Sequence, residues 1–191
     1  NWTAPAEQQY VDRGYSEAVG WSVGGVLCKD PYSLLCLEIG GGLPLSIQPA
    51  AGKKAFLTSV RGPGNLASWP AAASKTSLEA GDQICRTLAA AAGLENSGEF
   101  KAWLSTSTIN ARDRIRSNGP WVRLDGIPVA NDKADLLDGA LFTAINLTDT
   151  GSRIINYGVW TGSLSNGASS LETCADWTDG TTASESTTGR T

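Results

Sequence analysis

The acidic segment NDKADLLD at residues 131–138 holds the side chains best suited to bind a metal ion. Carboxylate and carboxamide oxygens are the ligands that calcium prefers in proteins, and helical or turn spacing would bring two of these carboxylates together. The segment therefore predicts a calcium site, with a solvated acidic loop as the alternative. The candidate ligands are Asn131, Asp132, Asp135 and Asp138.

Asp176 and Asp179 form a carboxylate pair that could supply a general acid and a general base. The 191 residues contain no histidine, which removes Ser-His-Asp and Cys-His catalysis and the usual proton carrier near neutral pH. Nothing else in the sequence converges on this pair. We therefore expect a protein that is not an enzyme, with no catalytic residues and no cofactor apart from the candidate calcium ion.

Residues 139–173 are a third candidate, for a recognition surface. They are rich in Asn, Ser, Thr and Gly around a single tyrosine. Adaptable hydrogen-bonding groups around an aromatic side chain suit binding loops on a rigid scaffold, and a solvated loop without a partner is the alternative. The candidate ligand-binding residues are Asn146, Asn156, Tyr157, Ser165 and Asn166.

Composition and charge narrow the class of protein further. With 41% hydrophobic residues the chain can bury a core, and its net charge of -4 and pI near 4.8 argue against nucleic-acid binding. No stretch approaches the roughly 18 apolar residues of a membrane-spanning helix. The sequence starts at Asn1 and has no methionine, which suits a secreted or cell-surface protein whose signal peptide has been removed.

The four cysteines fit an oxidising compartment. Cys28 and Cys36 flank the segment CKDPYSLLC, in which Asp30 and Pro31 favour a turn, so a local disulfide is expected there. Two free thiols are the alternative.

Residues 1–52 differ from the rest and predict an N-terminal β extension ahead of a domain at 53–191. Short apolar runs split by glycines read as strands between turns. The runs are WSVGGVL at 21–27, LLCLEI at 34–39 and LPLSI at 43–47.

The clearest helix covers residues 78–92, within TSLEAGDQICRTLAAAAGLE. Thr76 and Glu79 match a capping box, and Gly93 follows as a stop. Cys85 lies on the apolar face, where a disulfide would fix the helix to its surroundings. A short second helix is expected to begin at Ser97.

Strands are expected at residues 53–60 and 158–162, from their β-branched and aromatic content. The segment PWVRLDGIPVA at 120–130 predicts a hairpin with a type I′ turn at Asp125-Gly126. The Thr- and Ser-rich tail at 178–191 reads as a loop or a flexible end.

A series of short motifs resembles bacterial extracellular C-type lectin-like domains, in the branch related to the endostatin-like C-terminal modules of collagens XV and XVIII. Each motif is weak alone, and their order and spacing together are specific over about residues 53–180. The motifs are FLTSV (56–60), GNLAS (64–68), LEAGDQIC (78–85), AAGL (91–94), FKAWLST (100–106), ARDR (111–114), LDG (124–126), VWTG (159–162) and CADW (174–177).

The resemblance implies an α+β fold with two helices, a twisted antiparallel sheet and a long loop region. In such domains tryptophans and disulfides hold together loops that cannot form a core of their own. Trp160 and Trp177 would therefore be buried anchors, and Cys174 would join the loop region to the sheet. The Glu-Pro-Asn tripeptide of sugar-binding family members is absent, so calcium-dependent sugar binding is not implied.

The same resemblance raises a question about disulfides. In the family the cysteine at the position of Cys85 pairs with one on the final strand, and the cysteine at the position of Cys174 pairs with one just before that strand. The sequence reaches Thr191 with neither later cysteine. Either the final strand is absent or supplied by a separate chain, which is the favoured interpretation, or Cys85 and Cys174 pair with each other.

Together these patterns predict a secreted, non-catalytic binding or adhesion module that recognises an extracellular protein or glycan. The alternative is a structural subunit of an extracellular filament or surface layer, assembled as a homo-oligomer by strand pairing between chains. Neither hypothesis involves nucleic acid or a transmembrane segment.

Overall fold

The computed structural model describes residues 10–12, 25–27, 48–155 and 157–190 of the chain. The chain divides into two compact units, Asn1–Ile47 and Gln48–Thr191. This division falls a few residues before the predicted domain boundary at 52/53. None of the helices among these residues is long and apolar enough to cross a membrane.

The first unit contains one described β-ladder. Strands β1 (Tyr10–Asp12) and β2 (Gly25–Leu27) pair in antiparallel orientation, with Tyr10 opposite Leu27. Strand β2 lies inside the run predicted at 21–27. The predicted strands at 34–39 and 43–47, and the predicted disulfide between Cys28 and Cys36, lie outside the described residues.

The second unit contains a three-stranded sheet of order β3-β4-β5, from β3 (Lys53–Ala55), β4 (Trp121–Arg123) and β5 (Pro128–Ala130). Strands β4 and β5 are antiparallel, as the predicted hairpin requires, whereas β3 and β4 are parallel. The expectation of a wholly antiparallel sheet is therefore wrong. The physical reason is that a long connection containing a helix joins β3 to β4, which allows both strands to run the same way.

The turn of this hairpin differs from the predicted type. Among Asp125 and Gly126 only the glycine has a positive φ, of 82°, so a type I′ turn, which needs two such residues, is not formed. The N–H of Gly126 donates to the carbonyl of Arg123, and the N–H of Arg123 donates to the carbonyl of Ile127. This is a three-residue loop closed by a left-handed glycine.

Helix α1 (Ser77–Ala91) confirms the long helix expected from the periodic apolar pattern. Thr76 occupies the N-cap position, but its side chain makes no capping hydrogen bond, so the predicted capping box is not formed. The Ser77 hydroxyl instead donates to the carbonyl of Asp176 at 2.7 Å, which connects the start of α1 to the C-terminal loops.

The other helical segments are short. The second helix expected from Ser97 is one 3-10 turn (Ser97–Glu99), and two further 3-10 turns precede α1, at Leu66–Ser68 and Pro70–Ala72. Three four-residue helices complete the described set: α2 (Ala111–Arg114), α3 (Lys133–Leu136) and α4 (Cys174–Trp177). The described residues thus combine four α-helices with small sheets in an α+β arrangement, with two more helices than the resemblance implies.

The tail predicted as a loop or flexible end contributes a strand. Strands β6 (Gly158–Trp160) and β7 (Thr188–Arg190) pair in antiparallel orientation, so the strand expected at 158–162 is confirmed and the expectation for the tail is wrong at 188–190. The carbonyl of Thr187 accepts hydrogen bonds from the N–H groups of Thr161 and Gly162. These backbone partners hold a segment whose own sequence carries no strand signal.

The main core of the second unit lies between α1, the 3-10 turns and α4. Its buried members come from segments far apart in sequence, so it joins the helix to the C-terminal loops. They are Leu66, Ala72, Ala80, Ile84, Leu104, Cys174 and Trp177. A smaller cluster is formed by hairpin residues Trp121, Val129 and Ala130, against which Ile115, Leu136 and Ile145 pack.

Candidate binding site

Helix α4 is a left-handed turn. All four of its residues, Cys174 to Trp177, have φ between 50° and 67°. The hydrogen bonds from Trp177 N–H to Thr173 O (2.8 Å) and from Thr178 N–H to Cys174 O (3.1 Å) close it as one turn of α-helix. Left-handed helix costs about 1–2 kcal/mol for each L-residue other than glycine. Contacts outside the turn must offset this cost.

Trp177 provides the largest of these contacts. Its side chain is completely buried, and its indole N–H donates to the carbonyl of Ser105 at 2.7 Å. The ring meets Trp160 edge-on with centroids 6.3 Å apart, and Trp160, which is partly buried, donates to the carbonyl of Gly62 at 3.1 Å. Gly162 packs so closely that a Cβ atom there would lie 2.8 Å from the Trp177 ring. The two tryptophans predicted as structural anchors therefore contact each other.

The carboxylate of Asp176 holds the other side of the turn. It accepts hydrogen bonds from the Ser107 N–H (2.7 Å), the Ser107 hydroxyl (2.9 Å) and the Thr173 hydroxyl (2.9 Å). Partial burial acts to raise the pKa of Asp176, but these hydrogen bonds together hold it below the ordinary value of 3.8. Asp176 is consequently an anion at neutral pH, with its oxygens engaged in positioning the loop.

Asp179, the other member of the predicted carboxylate pair, is engaged in the same way. Its carboxylate accepts hydrogen bonds from the Ser184 hydroxyl (2.6 Å) and the Thr181 N–H (2.8 Å). These bonds, the one from Ser184 first, lower the pKa of Asp179. Both carboxylates therefore remain ionised near neutral pH. A general acid would instead need a raised pKa, so that it carries a proton at that pH.

A cleft of about 510 Å³ opens beside α4. Its walls come from residues 171–173 and 175–176, from Ser107 and from residues 184–185. The charged groups of the lining are Glu172, Asp176 and Glu185, and none of the described residues that line the cleft is a lysine or an arginine. Leu171 lies at this cleft with 73% of its surface exposed. The arrangement is a concave, negatively charged surface with one apolar side chain beside it.

The predicted calcium ligands serve as turn and helix caps. Asp132 caps α3 by accepting from the N–H of Asp135 (2.9 Å), Asp135 accepts from the N–H of Asn131 (2.7 Å), and Asp138 accepts from the N–H of Ala140 (2.8 Å). Within the described ranges, no three His, Cys, Asp or Glu side chains lie close enough together to hold a metal ion. A calcium site at Asn131, Asp132, Asp135 and Asp138 stays a prediction.

The four described ligand-binding candidates, Asn146, Tyr157, Ser165 and Asn166, do not line the cleft beside α4. Asn146 is buried, and its carboxamide oxygen accepts from a guanidinium nitrogen of Arg123 at 2.7 Å. Tyr157 is exposed, with the guanidinium of Arg61 4.2 Å from its ring centroid. Ser165 and Asn166 lie in an exposed turn. The fifth candidate, Asn156, is outside the described residues.

Cys85 and Cys174 are both free thiols in the structure, so they are not joined to each other. Burial, with a smaller contribution from the Asp82 carboxylate, raises the pKa of Cys85 to about 12. Burial also raises the pKa of Cys174, against the opposing effect of a hydrogen bond with Ser186. Neither thiol forms a reactive thiolate at neutral pH.

Sequence reasoning did not identify Ser107 or Glu185 at this cleft, and it included Leu171 and Glu172 only as part of the broad surface predicted at residues 139–173. One signal was available: Thr173 and Asp176 match the Ser/Thr-x-x-acid pattern of a helix start, and Thr173 does accept a hydrogen bond from the Asp176 N–H. The pattern marks a helical turn and carries no information about its handedness. Ser107 lies close to Asp176 only because the tertiary fold brings these two distant segments together.

No protein-family model matches this chain, and no match is found among curated proteins. The resemblance to C-type lectin-like domains accordingly stays a prediction from the motifs of residues 53–180.

Proposed function

We propose that this protein is a secreted, non-catalytic C-type lectin-like module that binds an extracellular protein or glycan through the loops around α4. The observation that carries the proposal is the cleft beside this left-handed turn, walled by Ser107 and by residues 171–173, 175–176 and 184–185. Binding residues are commonly placed on loops that a rigid scaffold positions, and ligand sites are usually concave.

The fixed geometry of the cleft supports recognition. Asp176 connects α4 to Ser107 through its side chain and to Ser77 through its carbonyl. Strained backbone persists where many contacts from the surrounding structure hold it in place, and such strain is common at functional sites. A wall held in this way presents the same surface before and after binding, which reduces the entropy cost of association.

The chemistry of the groups at the cleft favours binding over catalysis. Hydrogen bonding keeps Asp176 ionised, so this carboxylate does not donate a proton near neutral pH. The Ser107 hydroxyl donates to that same carboxylate, and the chain contains no histidine that would act as a base for it. The nearby thiol of Cys174 is protonated.

A binding screen with one cleft variant tests the proposal. The purified chain is tested against a panel of extracellular matrix proteins and a glycan array, as wild type and as Leu171→Asn. Asparagine tolerates the left-handed backbone of Leu171 (φ 71°), so the variant removes apolar surface without new strain. Leu164→Asn is the control, since Leu164 is also an exposed leucine and is not part of the cleft lining.

We expect at least one ligand whose binding Leu171→Asn weakens and Leu164→Asn does not. If no protein or glycan binds the wild type, or if both variants bind as tightly as the wild type, this function is rejected.

The filament alternative has one observation in its favour. Among the described residues the β1–β2 ladder consists of two strands, and no further described strand pairs with either outer edge. Open strand edges are templates for pairing between chains. Light scattering on native material separates the two functions, because a polymer that resists dissociation favours the filament and a monomer favours the binding module.

A further inference from the structure

Two asparagines of the chain are followed directly by glycine, in the pairs Asn118-Gly119 and Asn166-Gly167. Such a pair is prone to deamidation, because glycine has no side chain to hinder the attack of its own backbone nitrogen on the neighbouring carboxamide. The reaction requires the carboxamide carbon and the glycine nitrogen to come together, so the local structure decides whether it occurs. The two pairs differ in this respect.

The fold holds both reacting groups of Asn166-Gly167. The Asn166 carboxamide oxygen accepts a hydrogen bond from the N–H of Ala168 at 3.0 Å. The N–H of Gly167 donates to the carbonyl of Leu164 at 2.9 Å. Gly167 is buried, and its carbonyl accepts from the N–H of Arg112 at 3.2 Å, which fixes the turn to α2. The glycine nitrogen reaches the carboxamide only when this turn opens, which slows the reaction in the folded protein.

The pair Asn118-Gly119 lies in an irregular segment between α2 and β4. The Asn118 side chain is exposed and makes no hydrogen bond with any residue that the structure describes. The N–H of Gly119 donates at 3.1 Å to the side-chain hydroxyl of Ser117, within the same segment. The Asn118 carboxamide can therefore rotate towards the Gly119 nitrogen without breaking a hydrogen bond of its own to the described residues.

We propose that Asn118 deamidates in the folded protein while Asn166 is protected, and that the isoaspartate formed at position 118 weakens the junction of β3 and β4. The Gly119 nitrogen bonds to the carboxamide carbon of Asn118, the bond from that carbon to its amide nitrogen breaks, and ammonia leaves with the proton of the Gly119 N–H. Water then opens the resulting succinimide ring at either carbonyl. The products are aspartate and isoaspartate, each with a new negative charge.

Isoaspartate adds a methylene group to the backbone at a closely packed point. A Cβ atom on Gly119 would lie 2.8 Å from the Trp121 ring, so this glycine has little room to shift. The next residue, Pro120, accepts a hydrogen bond from the N–H of Lys53 at 2.8 Å, where β3 meets β4. A longer backbone at position 118 displaces both contacts, which should lower the stability of the sheet.

Peptide mass analysis of the protein stored at pH 8 measures both sites in one sample, because each conversion raises the mass of the peptide that contains it. In the native protein we expect Asn118 to convert at least about tenfold faster than Asn166, since the Asn166 turn must first open. In denaturant the two rates should agree within about a factor of two, because neither pair is then held by the fold.

Two variants separate the effect of the fold from that of the local sequence. Asn118→Gln should leave its peptide unmodified, because the longer side chain has to close a larger ring. Asn110→Ala removes the hydrogen bond at 2.9 Å from the N–H of Ser169 to the Asn110 carboxamide, which also holds the Asn166 turn against α2. Native conversion of Asn166 should then become roughly three- to tenfold faster, as the loss of one hydrogen bond predicts.

The melting temperature reports the effect on the sheet. The isoaspartate form, separated from fresh wild type by its charge, should melt about 2–4 °C lower, whereas Asn118→Gln should melt at the same temperature before and after storage. An isoaspartate form as stable as fresh wild type overturns the proposed weakening of the junction.

Asn166 converting as fast as Asn118 in the native protein overturns the proposed selectivity. Conversion of Asn118 only in denaturant overturns the modification site itself. An Asn166 rate that stays unchanged in Asn110→Ala overturns the protection of this turn by its contact with α2.

Discussion

The guanidinium of Arg114 donates a hydrogen bond to the carboxylate of Asp82 at 2.6 Å, and the two side chains are only 9% and 11% exposed. Arg114 also donates to the carbonyls of Ala102 and Leu104, and the N–H of Ala102 donates to Asp82. One buried ion pair therefore joins α1, α2 and the segment between them. Arg114 is therefore largely buried, although it lies in a short basic run with Arg112 and Arg116.

Removal of one partner of this pair should be strongly destabilising. Asp82→Asn leaves the Arg114 guanidinium buried without its counter-charge, which costs about 3–5 kcal/mol in free energy of unfolding. Glu79→Gln is the control, because the Lys75–Glu79 pair is exposed and is worth about 1 kcal/mol or less. Urea unfolding followed by tryptophan fluorescence measures both. A loss for Asp82→Asn no larger than that of the control would contradict the structural role of the pair.

Glycine substitutions at two exposed alanines should have opposite effects on stability. Ala175 has a left-handed backbone, which costs less for glycine than for alanine, so Ala175→Gly should stabilise the protein. Glycine also gives the unfolded chain more backbone entropy, which offsets part of this gain. The net free energy of unfolding should rise by about 1 kcal/mol. Ala90→Gly, within the right-handed helix α1, should lower it by about 1 kcal/mol. Thermal and urea unfolding of both variants provide the comparison. A destabilising Ala175→Gly would show that α4 is not left-handed.

Acid should remove the contribution of Asp176 to stability. Its pKa is lowered in the folded protein, so this contribution is present above the ordinary pKa of 3.8 and is lost as the pH falls through the lower folded value. At pH 7 we expect Asp176→Asn to cost about 1 kcal/mol, the loss of charge-assisted hydrogen bonds at a partly exposed site. As the pH falls through the folded pKa of Asp176, the difference in stability between the variant and the wild type should shrink towards zero.

Unfolding curves recorded across this pH range give the measurement, with Glu95→Gln as an exposed carboxylate control. A difference between Asp176→Asn and wild type that stays constant with pH would mean that the charge of Asp176 does not contribute.

The thiols of Cys85 and Cys174 should resist alkylation in the native protein. Burial raises the pKa of both, to about 12 for Cys85, so iodoacetamide at pH 8 finds almost no thiolate. In denaturant both should react rapidly, which peptide mass analysis will show. The same non-reduced digest tests the predicted Cys28–Cys36 disulfide. A peptide joining Cys85 to Cys174 would contradict the free thiols of the structure.

The sequence determined the elements whose causes are local. Apolar spacing and small residues specify α1, because the interactions that favour a helix join residues only three or four positions apart in the sequence. Asp125-Gly126 between two β-forming runs specifies the hairpin of β4 and β5, and β-branched and aromatic residues specify β6. The absence of histidine also limited the possible chemistry before any fold was known.

The tertiary structure decided the features that depend on distant partners. Strand β7 forms because β6 and Glu172 offer backbone partners to a tail with no strand signal of its own. The left-handed turn at α4 is retained because Trp177 is buried against Ser105 and because Ser107 binds Asp176. Local preference favours the opposite hand, so only the energy of these long-range contacts selects the backbone that forms the cleft.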